Sequence, residues 1–227
     1  MYCHQLVFIL IITVLSSDYS LFTAGNYIYI SDPTPPVWPV AFQEIFNETS
    51  TLPVVGTSSN IQGTYYYDFD QKAVRIDRST GKYDRYCSSV KFFQDVPCTH
   101  LVVDGLRYLV FPTLNSCCMC CASESGCGML KPDWLSDATF TGYNTTGSVK
   151  YQVWDKKGLQ NNYYWQVDAT QVPYIIDQQP NDKMVFDVNS FKKGGIDPSI
   201  FALPSYCSKD HKCPILSVCT IARLNKD

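Results

Sequence analysis

Cysteine is the residue with the most chemistry to offer in this 227-residue chain, which carries 11 of them. The densest run is Cys117-Cys118-Met119-Cys120-Cys121, followed by Cys127 between Gly126 and Gly128. At Cys-x-x-Cys spacing, Cys117 with Cys120 or Cys118 with Cys121, two thiolates could grip zinc. A zinc ribbon needs a second such pair elsewhere, and His211-Lys212-Cys213 is a poor substitute. A Cys-His hydrolase would need one free thiolate beside His100 or His211. Cys3 lies in an N-terminal apolar stretch, and the other ten form an even set: Cys87, Cys98, Cys117, Cys118, Cys120, Cys121, Cys127, Cys207, Cys213 and Cys219. An even set in an oxidising compartment implies disulfides, which weighs against both the metal and the hydrolase readings.

The N-terminus points to such a compartment. Leu6 to Leu15 is apolar, too short to cross a bilayer, and followed by Ser16 and Ser17. It reads as a signal peptide over 1–16, with cleavage as late as 24, although the usual basic residues before the apolar run are nearly absent. No second apolar stretch of spanning length follows, so the mature chain is expected not to span a membrane and to be secreted, extracellular or lysosomal. Two sequons, at Asn47 and Asn144, are candidate N-glycan sites, Asn144 the better because Gly142 and Gly147 flank it in an expected loop. A net charge of -3 without a Lys/Arg cluster excludes nucleic acid as a partner. Asp68, Asp70 and Asp77 could contribute to a calcium site, but their alternation in strands marks a solvated face more simply, and no EF-hand pattern occurs.

Hydrophobic residues make up 45% and charged residues 17%, enough for one globular domain with a sizeable core. Residues 25–59, with Pro33, Pro35, Pro36, Pro39 and Pro53, read as an extended lead-in over the surface. The β domain is placed at 60–221 and a short tail at 222–227. Tyr65-Tyr67-Phe69 and Val74-Ile76 alternate with polar residues as half-buried strands do. Val102-Val103, Asp104-Gly105 and Leu106 to Phe111 read as a hairpin with an Asp-Gly turn. Strands over 150–154, 163–167, 174–176 and 184–188 follow, and short helices are expected only near 37–46 and after Pro198. At least seven strands without helical periodicity predict an antiparallel sheet or sandwich. The alternation places Tyr65, Tyr67, Val74, Ile76, Tyr108, Val110, Tyr151, Val153, Trp165, Met184 and Phe186 on faces that could share one interior. With aromatic residues at 14%, such an interior could be a lipid pocket or ordinary core.

Gly195-Ile196-Asp197-Pro198-Ser199-Ile200-Phe201-Ala202-Leu203-Pro204-Ser205-Tyr206-Cys207 combines a turn signal, two rigid prolines and a cysteine at fixed distance. This segment resembles the C-terminal motif of the ependymin-related proteins. Tyr67-Asp68-Phe69-Asp70 leading to Val74-Arg75-Ile76-Asp77, then Cys87, then the Trp154 strand, fit that family in the same order. The resemblance covers about residues 60 to 219. It implies an all-β fold with few short helices: two curved antiparallel sheets around an apolar pocket, similar to the bacterial lipoprotein-carrier fold. It also implies a glycoprotein that binds lipid or fatty acid, with dimers and calcium binding in some members. Carried over, its bridges pair Cys87 with Cys213 or Cys219, and Cys207 with Cys117 or Cys118, at about 4 kcal/mol each by the chain-entropy estimate. A third family bridge has neither end here, since residues 25 to 86 hold no cysteine and the matching strand reads Thr170-Gln171-Val172-Pro173-Tyr174.

The expected function is therefore non-catalytic: an acyl chain held in a pocket between sheets. A matrix or adhesion glycoprotein with a filled interior is the alternative, and a disulfide-stabilised secreted hydrolase is the second.

Overall fold

Period-two alternation decides most of this molecule. The computed structural model describes residues 32–53, 55–92, 94–158 and 161–224. The expected signal peptide, 1–16 or as far as 24, lies outside the described residues. From Pro33 onward the described residues group as one compact unit, within which every paired strand is antiparallel.

The strands are β1 (Ala41–Leu52), β2 (Gly56–Asp68), β3 (Ala73–Arg78), β4 (Cys98–Val103), β5 (Leu106–Phe111), β6 (Ser116–Ala122), β7 (Thr139–Thr146), β8 (Val149–Lys156), β9 (Asn162–Val167), β10 (Pro173–Gln178), β11 (Asp182–Phe186) and the two-residue β12 (Lys192–Lys193). They form one continuous path, β6-β5-β4-β3-β2-β1-β11-β10-β9-β8-β7, with β12 added on β1. Two meanders, β2 to β6 and β7 to β11, are thus the wings of one sheet, joined where β1 pairs with β11. The all-β antiparallel architecture expected from the alternation is the one observed.

β1 corrects two expectations. Its first half lies where a helix was expected, and its length lies inside the expected surface lead-in, yet it is a central strand paired on both sides. Phe42, Glu44, Phe46, Glu48 and Ser50 are buried while Ile45 and Asn47 are exposed, a period-two pattern that the neighbouring prolines obscure. β6 is the cysteine run itself, and β7 holds Asn144 in an exposed strand where a loop was expected. The Asp104-Gly105 turn is as read: both residues have positive φ, 51° and 72°, which a two-residue hairpin of this type requires.

One face of the sheet curls onto itself. Phe42, Phe46, Tyr65, Tyr67, Val74 and Val102 share a buried cluster with Trp154, Tyr164 and Phe186 from the other wing. In a flat sheet β4 and β8 would stand roughly 34 Å apart at normal strand spacing, so the wings must fold toward each other. Trp38 and the 129–138 segment lie between them: Trp38 N–H donates to the Pro132 carbonyl at 2.9 Å, Tyr67 hydroxyl donates to the Leu130 carbonyl at 3.0 Å, and Leu135 is fully buried.

The opposite face of β3 to β6 is covered by the Gly195 to Cys207 segment. Ile196 and Phe201 are buried against Ala73, Leu101, Tyr108 and Val110. Asp68 accepts from Ile196 N–H at 3.1 Å, and Cys207 is bonded to Cys117, one of the two partners that the resemblance implies. The other bridges are Cys118–Cys213, Cys120–Cys219, Cys121–Cys127 and Cys87–Cys98. The expected pairing of Cys87 with the tail is therefore corrected. Its helix α1 (Arg85–Val90) sits over the start of β4, next to Cys98, and Cys213 and Cys219 are taken by β6, against which the tail helix α2 (Val218–Leu224) packs. All ten described cysteines are paired, so neither Cys-x-x-Cys spacing offers a thiolate for zinc.

A candidate amphipathic binding cavity

Strand register determines which side chains meet between the wings. Tyr65 stands opposite Ile76, Ile76 opposite His100, Val74 opposite Val102, and Val102 opposite Arg107. On the other wing Met184 stands opposite Ile176, and Asp182 opposite Gln178. These residues line a cavity of about 300 Å³, closed in part by Gly126, Gly128, Met129 and Leu130. The Cys121–Cys127 bridge ties that covering segment to β6.

The cavity has two chemical ends. Val74, Ile76, Val102, Met129, Leu130, Ile176, Met184 and the Tyr65 ring form an apolar wall that merges with the core. Arg78, Asp84, Arg85, Tyr86, His100, Arg107 and Asp182 form a polar end.

The polar end is a chain of buried charges. Arg78 is gripped by Glu48 of β1, Nε donating to Oε2 at 2.6 Å and Nη2 to Oε1 at 3.2 Å, with Asp84 3.8 Å from Nη1. Asp84 caps α1, accepting from the Tyr86 and Cys87 N–H groups at 3.0 and 2.7 Å, and is 3.0 Å from His100 Nε2. Burial would raise the Asp84 carboxyl, but His100, Arg78 and the helix N–H groups outweigh it and hold it well below the usual range. Burial pushes His100 down. An ionised Asp84 then fixes the tautomer, with Nε2 carrying the hydrogen and donating it. Asp182 is raised chiefly by burial, although it accepts from Ser50 at 2.5 Å. Tyr86 receives two guanidinium groups, Arg85 at 5.2 Å and Arg107 at 5.5 Å from its ring centre.

Of the residues expected to share an interior, Tyr65, Val74, Ile76 and Met184 line the cavity, and Tyr67 and Phe186 belong to the same core cluster. The others face away. Across the two-residue turn Val102 pairs with Arg107, so Tyr108 and Val110 point to the opposite face, beneath Ile196 and Phe201. Trp154 and Tyr164 take the inner positions of β8 and β9, which turns Tyr151, Val153 and Trp165 outward; Tyr151 stacks on Tyr174 at 4.1 Å between ring centres. Both faces are apolar in these strands, so alternation alone does not say which face is inside. The sequence reading missed Arg78, Asp84 and Arg107. Arg78 lies two residues beyond Ile76 on the same strand, so parity was the available signal.

Two of the three carboxylates considered for calcium already have partners. Asp68 accepts from Gln71 and Ile196, and Asp77 pairs with Arg75 at 2.9 Å and accepts from Thr99. Cys87, Cys98 and His100 cluster within 4.8 Å, but those two cysteines are bonded to each other. Asn47 and Asn144 are both exposed.

Residues 106–207 match the family described as a domain of unknown function (DUF8395). No curated protein matches the chain. Among solved structures, it is similar to an uncharacterized conserved protein from Thermus thermophilus, with a TM-score of 0.46 and 9% identity over 77% of this chain and 89% of that one. It is also similar to a LolA superfamily protein from Nitrosomonas europaea, with a TM-score of 0.32 and 9% identity over 73% of this chain and 91% of that one.

Proposed function

We propose that this chain is a secreted or lysosomal, non-catalytic glycoprotein that carries a fatty acid or similar single-chain lipid in the cavity between its wings. The observation that carries this reading is the division of one cavity into an apolar wall and a charged end, as an amphipathic ligand requires. A volume of about 300 Å³ is at the small end for ligand sites and suits one acyl chain better than two. Each buried methylene would contribute about 0.8 kcal/mol, with no covalent step.

Two observations support the remaining parts of the reading. Asp84 and His100 have the contact that orients a catalytic histidine, but the lining contains no serine, threonine or free cysteine to activate. Five disulfides suit an oxidising compartment, and among the described residues no helix is long and apolar enough to cross a membrane. Kinship with the ependymin-related proteins is part of this proposal and rests on the Gly195 to Cys207 motif. Displacement of a fluorescent fatty acid from delipidated protein, with native mass spectrometry for stoichiometry, tests the function. One ligand per chain at micromolar concentration is expected, and no binding would return the weight to the matrix or adhesion reading.

A further inference from the structure

We propose that Arg107 anchors the anionic head of the cavity's ligand, a carboxylate or phosphate monoester, and so selects acidic over neutral amphiphiles; this rests on the carrier reading above. The cations at the polar end are not equivalent. Arg78 is neutralised by a two-pronged bond to Glu48 and by Asp84. Arg107 forms no ion pair among the described residues. Among the described residues its Nε is buried without a partner, and its one hydrogen bond is a long 3.4 Å contact from Nη2 to the Gly128 carbonyl. The Tyr86 ring offers a cation–π contact but no acceptor.

A guanidinium presents five donors in a planar fork, and only one is used here. Leaving such a cation unneutralised beside a low-dielectric cavity is costly. Asp84 forms no ion pair with Arg107: its hydrogen bonds from the Tyr86 and Cys87 N–H groups and His100 all fall on Oδ1, and Oδ2 lies 3.8 Å from Arg78 Nη1. Burial lowers the Arg107 guanidinium below its ordinary pKa, and the opposing influence of Tyr86, Asp84 and Tyr65 does not restore it. A bound oxyanion supplies what is missing: negative charge and two acceptors matching the fork. Register then orients the ligand. Arg107 stands opposite Val102, and Val102 opposite Val74, so a head at Arg107 directs its chain along the apolar wall toward Ile76, Ile176 and Met184.

The test measures binding of decanoic acid, decyl phosphate and decanol to delipidated wild type, Arg107→Gln and Arg107→Lys. Wild type is expected to bind at least one of the two anions about tenfold or more tightly than decanol. Arg107→Gln should erase that preference, weakening the preferred anion about tenfold more than decanol, and Arg107→Lys should keep part of it. The comparison of the two anions identifies the head. Wild type binding decanol as well as both anions overturns the proposal without any variant, as does Arg107→Gln weakening acid and alcohol equally; in either case the carrier reading stands. Wild type binding none of the three defeats the carrier reading itself.

Discussion

Glu44 sits between Phe42 and Phe46 in β1, 1% exposed, with neither carboxylate oxygen hydrogen-bonded. Burial first, and then Asp187, push its pKa from 4.5 up to about 9. The native state therefore keeps a proton that the unfolded chain releases above its ordinary value. Stability should fall as pH rises from 4.5 toward 9. Glu44→Gln removes this penalty and should stabilise the protein by about 2–3 kcal/mol at pH 7, the gain vanishing near pH 4.5, in urea denaturation across pH. Glu48, four residues further along the same face, is instead paired with Arg78. Glu48→Gln leaves Arg78 buried with weakened compensation and should cost about 3–5 kcal/mol, also read from urea midpoints. If both variants shift stability in the same direction, the contrast between an unpaired buried carboxyl at Glu44 and one paired with Arg78 at Glu48 is wrong.

At the level of elements, three bridges run in parallel order from β6 to the tail, their loops interleaved, with sequence separations of 90, 95 and 99. Loops of that length suggest more than 4 kcal/mol each by chain entropy, but a neighbouring bridge changes this. With Cys118–Cys213 in place, Cys120–Cys219 closes only a ring on the order of ten residues, which corresponds to about 2–3 kcal/mol. The double variant Cys120→Ala with Cys219→Ala should therefore lose about that much, by thermal or urea unfolding without reductant. Elements differed in how readable they were. β2 to β5 and β8 to β11 follow from alternation bounded by turn residues. β1 did not, because Pro33 to Pro39 draw attention to the irregular chain just before it, while its buried positions include Glu44, Glu48 and Ser50, which look solvent-facing. β6 did not because cysteines carry a chemical signal that hides their strand period.

At the scale of the whole molecule, the cavity exists because a single sheet curls until β4 and β8 share one cluster, with Trp38 and the 129–138 segment wedged between the wings. The apolar half of the site was legible: Tyr65, Val74, Ile76 and Met184 follow from period two. The polar half was not, because Arg78, Asp84, His100 and Arg107 come from four separate segments and only strand register brings them together. A side chain that fills the cavity without touching its charges isolates the function from the fold. Ile76 is partly buried, lines the cavity and stands opposite His100, so Ile76→Trp should occupy the acyl path. Fluorescent fatty-acid displacement on delipidated wild type and Ile76→Trp is the direct measurement. One micromolar site per wild-type chain is expected, weakened about tenfold or more in the variant; no binding to wild type, or equal binding to both proteins, would contradict a lipid site between the wings.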